Sequence, residues 1–67
     1  MKTIDKEQIH EYYTKGWTDA HTGAPNNLNL ENPINQYAYE LGIIDFIFDF
    51  QFNSKDEIEN LIKKKFN

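Results

Sequence analysis

No cysteine occurs in this chain of 67 residues, and that absence narrows the folds open to it more than any motif does. A domain this short buries only roughly 60% of the surface its unfolded chain exposes. Domains below about 70–80 residues therefore lean on disulfides, a metal, oligomerisation or tightly packed helices. Without thiols, disulfides and thiolate-bound zinc are both excluded. What remains is well-packed secondary structure, self-association, or both. Material for a core exists: aromatic residues make up 15% of the chain and aliphatic residues recur periodically, which separates it from a disordered segment.

The periodicity is helical. A first helix is predicted over about 5–22, with Asp5 as N-cap, Gln8 at the capping-box spacing, and Ile4 and Ile9 spaced as a hydrophobic staple. Ile9, Tyr13, Trp17 and Ala20 follow at intervals of three or four, and Tyr12 and Gly16 widen that stripe. Gly23 is placed as the residue just past the helix end, and Pro25 keeps the helix from resuming at once. Asn26, Asn27 and Asn29 beside this glycine and proline are loop chemistry, with Leu28 and Leu30 as pins onto the helices.

Asn32 followed by Pro33 reads as an N-cap with proline at the first helical position. A second helix is expected over 33–51, its stripe being Ile34, Tyr37, Ala38, Leu41, Ile44 and Phe48. Ile43, Phe46, Ile47 and Phe50 add apolar groups on its other faces. From Ile43 to Phe52 the residues also alternate as a strand would, but no other segment alternates over a comparable length, so a strand here would have to pair between chains. Helix is the favoured reading. Ser54 and Glu57 form a capping box, Asp56 and Glu57 occupy the first turn of a third helix over 55–66, and Lys63, Lys64 and Lys65 its last. Ile58, Leu61, Ile62 and Phe66 are its expected buried face. Together these segments predict a single all-α domain, three short amphipathic helices in a compact bundle spanning 1–67.

Charge restricts the partners. The formal net charge is −4, with 11 acidic residues against 7 basic ones, all of them lysine. Nucleic-acid phosphates repel such a balance, and arginine, their preferred bidentate reader, is missing, so nucleic acid is disfavoured as a partner. No basic stretch precedes an apolar one and no run of about 18 apolar residues occurs, so no membrane association is expected and a cytoplasmic location is.

Catalysis has little foothold. There is no cysteine nucleophile, Ser54 is assigned as a cap, and no glycine-rich phosphate loop is present. Glu7, His10 and Glu11 share one helix face at a spacing used by di-metal bundles, but the later segments supply no histidine to complete such a site. His21 stands two residues from Asp19, on a different side of the helix, and reads as a dipole-compensating end group. No metal or cofactor is expected, and the chain is not expected to be an enzyme.

Binding is the better expectation. Tyr12, Tyr13, Trp17, Tyr37 and Tyr39 exceed what two short helices need for a core, and Tyr and Trp are enriched at binding hot spots; Tyr12, Trp17 and Tyr39 are the candidate anchors. With Asn26, Asn27 and Asn29 they form the first candidate surface for a protein partner. An acidic strip of Asp45, Asp49, Asp56, Glu57 and Glu59 is the second. The all-round apolar segment carrying Ile43, Phe46, Ile47 and Phe50 is the candidate for self-association, which predicts a homodimer.

The run Tyr13-x-x-Gly16-Trp17-x-x-Ala20-x-x-Gly23, an Asn/Pro loop and then Tyr37-Ala38-Tyr39-x-x-Gly42 resembles ribosome modulation factor-like small proteins over residues 12 to 45. The resemblance implies a helical hairpin with small residues at the crossing, and a ribosome- or RNA-associated role. That role depends on basic character in the family, whereas this chain is acidic and lacks arginine, so no functional residue is carried over. In size and composition the chain also looks like the accessory proteins of bacteriophages, including anti-CRISPR inhibitors. The leading expectation is accordingly a stoichiometric protein-binding inhibitor or adaptor, with the ribosome-associated factor and a homo-oligomeric structural protein as alternatives.

Overall fold

A computed structural model describes residues 5–23, 30–48 and 52–66. Three helices follow one another: α1 over Lys6–His21, α2 over Pro33–Ile47 and α3 over Lys55–Phe66. The Cα radius of gyration is 11.0 Å, close to the value of about 11 Å expected for a compact chain of this length. The fold is an all-α bundle, as its periodicity predicts.

Each helix begins where its cap residue says it should. Asp5 accepts from the backbone N–H groups of Glu7 and Gln8 at 3.0 and 3.2 Å, occupying two of the donors a helix start leaves unpaired. Gln8 does other work: its side-chain oxygen accepts from Asn35 Nδ2 at 3.2 Å, tying α1 to α2. Asn32 accepts from the N–H of Ile34 at 2.8 Å, with Pro33 opening α2. At α3 the capping box is reciprocal, Glu57 N–H donating to Ser54 Oγ at 3.3 Å and Ser54 N–H to Glu57 Oε1 at 3.1 Å. α1 is capped by Thr22 and followed by Gly23, whose φ of 86° lies in the left-handed region that glycine adopts freely. Of the two expected loop pins, Leu30 is half-buried and its N–H donates to Gln36 Oε1 at 2.8 Å, while Leu28 lies outside the described residues.

The packing of α1 against α2 turns on two glycines. A Cβ built on Gly16 would land on the carbonyl oxygen of Tyr39, with the Tyr39 carbonyl carbon 2.9 Å away. A Cβ on Gly42 would land on the carbonyl oxygen of Tyr13 and come within 2.8 Å of the Trp17 nitrogen. Each helix thus lays its backbone into the gap left by the other's missing side chain. This contact fixes the rotation of α2 about its own axis: with Gly42 turned toward α1, the residues sharing its face, Asn35, Ala38, Tyr39, Ile43 and Asp45, are buried. Ile9, Tyr13, Ile34, Ala38, Ile58 and Ile62 form the core cluster, with α3 supplying the last two.

Two expectations need correction. α2 ends at Ile47, capped by Phe48 whose N–H reaches the carbonyl of Ile44 at 3.0 Å, so its last turn closes short of the predicted residue 51. The expected stripe also departs from the observed one. Ile44 and Phe48 face outward at 43% and 65% exposure, because the glycine contact rather than the aliphatic spacing sets the helix phase.

Overpacking a core commonly costs about 1–3 kcal/mol, and here the obstacle is backbone that cannot rotate away. Gly→Ala in a helix interior regains up to about 1 kcal/mol of propensity, which is less. Gly16→Ala and Gly42→Ala are each expected to lower the unfolding free energy in urea by roughly 2 kcal/mol or more. Neutral or stabilising values for both would show that the helices separate without penalty.

Candidate functional site

At the centre of the molecule three polar side chains from three segments meet. Tyr13 of α1 donates its hydroxyl proton to Asp45 Oδ2 of α2 at 2.5 Å. Asn53, in the segment leading into α3, donates its backbone N–H to the Tyr13 hydroxyl at 3.1 Å and its side-chain amide to Asp45 Oδ2 at 2.8 Å. Tyr13 and Asp45 are both buried. No buried side-chain polar atom among the described residues lacks a hydrogen-bond partner. Burial pushes the Tyr13 hydroxyl up to about 12; the Asn53 N–H bond opposes it, and the hydrogen bond to Asp45 and that residue's negative charge act with it.

Around this network lies an aromatic cluster. Phe52 sets its ring edge-to-face against Tyr13 and Trp17, both at 5.1 Å between centroids, and against His10 at 5.8 Å. Phe46 meets Trp17 at 5.5 Å and His21 at 5.4 Å in the same manner. Such pairs add about 0.5–1.5 kcal/mol beyond their buried area. A second cross-link, Tyr39 Oη to Asp19 Oδ2 at 2.6 Å, joins α2 to the end of α1.

Set against this geometry, the first candidate surface divides. Tyr12 and Trp17 are half-buried and packed against the core, so each keeps an accessible edge. Tyr39 is fully buried and cannot serve as the expected surface anchor: the approach of α1 at Gly16 covers it. Asn26, Asn27 and Asn29 lie outside the described residues.

The acidic strip does not hold together as a surface. Asp45 is buried in the polar network rather than displayed. Asp56 accepts from Lys6 Nζ at 2.7 Å, and the same lysine holds its carboxyl below the usual value. Glu57 is consumed by the capping box, and Glu59 lies between Lys6 at 3.8 Å and Lys63 at 3.9 Å. Asp49 is outside the described residues. Helix capping and ion pairing thus engage Asp56, Glu57 and Glu59.

The self-association set also splits. Ile43 is buried against α1, which removes it from any surface, and Phe46 is half-buried under Trp17 and His21. Phe50 is outside the described residues. Ile47 is 59% exposed, and beside it stand the outward-facing Ile44 and Phe48. Residues 44, 47 and 48 are spaced i, i+3 and i+4, so the three side chains share one face at the C-terminal end of α2. Sequence periodicity alone assigns Ile44 and Phe48 to the core; the phase of Gly42 was the signal that places them outside.

An open cleft of about 490 Å³ lies at the N-terminal ends of α1 and α3, lined by Asp5, Glu7, Gln8, His10, Glu11 and Lys55. Its main cross-link is the ion pair of Glu7 with Lys55 at 2.6 Å. Among the described residues no group of three or more His, Cys, Asp or Glu side chains is arranged to hold a metal ion.

By fold the chain is an all-α bundle, with three helices among the described residues, none of them long and apolar enough to cross a membrane. Compared with protein-family models, with curated proteins and with solved structures, it shows no match.

The raised Tyr13 value carries a testable pH dependence. The unfolded chain releases this proton near 10 and the folded chain near 12, so the stabilisation is fully present below pH 10 and is lost as pH rises to about 12. Tyr13→Phe strips Asp45 and the Asn53 N–H of a partner, a change that should cost about 1–3 kcal/mol at neutral pH. Urea titrations of both proteins across this range should show their difference narrowing above pH 10; a constant gap would mean that the hydroxyl titrates normally.

Proposed function

We propose that this chain is a stoichiometric protein-binding module of the cytoplasm, an inhibitor or adaptor of the kind phages encode, whose contact surface is the exposed apolar end of α2. The observation that carries this reading is the shared face of Ile44, Ile47 and Phe48, exposed by 43%, 59% and 65%. Scattered exposed apolar side chains are ordinary on a monomer, but two large ones in the last turns of α2 and a third at its C-cap form a contiguous patch. An amphipathic helix from a partner, or a groove receiving α2 itself, is the recurring way such faces are covered. The half-buried Trp17, edge-to-face with Phe46, supports the same end of the molecule with a rigid aromatic.

One observation favours a homodimer as the second reading. The exposed side of α2 carries a single described carboxylate, Glu40, which is already engaged by Gln36 Nε2 at 3.0 Å. Two copies could join there without bringing many like charges together, despite the net charge of −4.

Affinity capture of tagged protein from a host lysate at two salt concentrations, alongside an Ile47→Asp variant, tests the proposal. A single co-purifying protein in one-to-one ratio is expected, resistant to the higher salt and lost at least about tenfold in the variant, roughly 1.4 kcal/mol. Sedimentation of the purified chain distinguishes the second reading, in which wild type runs as a dimer and Ile47→Asp as a monomer. A partner retained in full by Ile47→Asp would move the contact surface elsewhere.

A further inference from the structure

The segment 52–54 and the helix it introduces are held to the rest of the molecule in an unusual way. Among the described residues, α1 and α2 contribute six buried hydrophobic side chains, Ile9, Tyr13, Ile34, Ala38, Tyr39 and Ile43, and α3 contributes two, Ile58 and Ile62. The α1–α2 contact at Gly16 and Gly42 is backbone against backbone and involves nothing from α3. Along its seam with α1, α3 offers the exposed ion pairs of Lys6 with Asp56 and Lys55 with Glu7 and a longer Lys6–Glu59 pair at 3.8 Å, a class of interaction that stabilises weakly. Its own first turn is satisfied internally by Ser54 and Glu57. The polar attachment to the interior runs through Asn53, by its two bonds to Tyr13 and Asp45, while Phe52 lies across Tyr13 and Trp17.

What Asn53 grips matters. Asp45 is almost fully buried, and its donors among the described residues, the Tyr13 hydroxyl and the Asn53 amide, are neutral. Among the described residues no lysine or histidine forms an ion pair with it. A carboxylate taken out of water without a cation carries a desolvation penalty that water would relieve. When residues 52–54 lift, Asp45 and the Tyr13 hydroxyl are not orphaned; they become hydrated. Raising the strap therefore exchanges these two hydrogen bonds for bonds to water rather than leaving the groups unpaired.

We propose that residues 52–54 and α3 form a latched strap, closed by the Asn53 bonds to Tyr13 and Asp45, which undocks as a unit from a persisting α1–α2 pair and uncovers the Tyr13–Trp17 aromatic floor. The opening is sub-global: it spares the glycine contact and takes with it only what α3 and Phe52 bury. It stands independently of whether the end of α2 binds a protein.

Native-state hydrogen exchange on the full chain tests this. In wild type, α3 amides should exchange at least about tenfold faster than those of α1 and α2 around Gly16 and Gly42, because partial openings lie below the global one. Asn53→Asp nearly preserves shape but sets a second carboxylate against Asp45 Oδ2, where the amide now donates at 2.8 Å. It should accelerate α3 exchange at least about a further tenfold, with the central α1 and α2 amides changing by less than about threefold, and it should raise the accessibility of Trp17 to a fluorescence quencher. Asn53→Ala should do the same more weakly. α3 amides as slow as the slowest in the protein, or equal acceleration of all three helices in Asn53→Ala, would overturn the proposal, as would complete unfolding of both variants.

Discussion

The structure depends first on how closely two backbones approach. Gly16 and Gly42 each occupy a position where even a methyl group would strike a carbonyl of the opposite helix. Because both glycines face the same contact, neither helix can rotate without losing it, and the rotation of α2 dictates everything on its surface. Tyr39 and Ile43 go inward, Ile44, Ile47 and Phe48 outward. For a helix apolar on nearly every side, hydrophobicity alone gives no preferred orientation. The absence of side chains at two positions supplies it.

That explains which parts of the fold were legible in the sequence. Helix starts are encoded locally: Asp5, Asn32 with Pro33, and Ser54 with Glu57 each name a boundary, and each forms the cap its chemistry suggests. Gly23 marks the end of α1 by the same local logic. The buried face of α3 was partly legible because Ile58 and Ile62 alternate with charged neighbours, although Leu61 remains 39% exposed. The phase of α2 was not, since reading it required weighing Gly42 as a contact rather than as a gap in the apolar stripe. One residue of each candidate site is buried instead of exposed for a related reason. Tyr39, Asp45 and Ile43 were assigned to surfaces by residue type, and residue type does not report which side of a helix a glycine has already claimed.

The polar interior qualifies the usual picture of a small domain held by apolar packing. Tyr13, Asp45 and Asn53 lie 32 and 8 positions apart in sequence along their two side-chain bonds, so the network checks the relative placement of all three segments at once. Apolar contacts among isoleucines tolerate a shifted register, whereas a buried carboxylate tolerates only the arrangement that delivers its donors. In a chain without cross-links, that intolerance gives uniqueness where hydrophobic content gives only collapse.

The N-terminal turns of α1 and α3 lie side by side, joined by the Lys6–Asp56 and Lys55–Glu7 pairs. Their positive dipole ends are thus neighbours, and five carboxylates, Asp5, Glu7, Glu11, Asp56 and Glu57, outnumber Lys6 and Lys55 around them, while Lys63, Lys64 and Lys65 stand at the other end of α3. A helix of 12 residues spans about 18 Å at 1.5 Å per residue, more than twice the screening length of about 8 Å at physiological ionic strength. The two ends are therefore electrically independent of one another in solution. A charged macromolecule approaching this protein meets an anionic pole or a cationic pole according to direction, so the net charge alone does not determine which face turns toward it in the encounter.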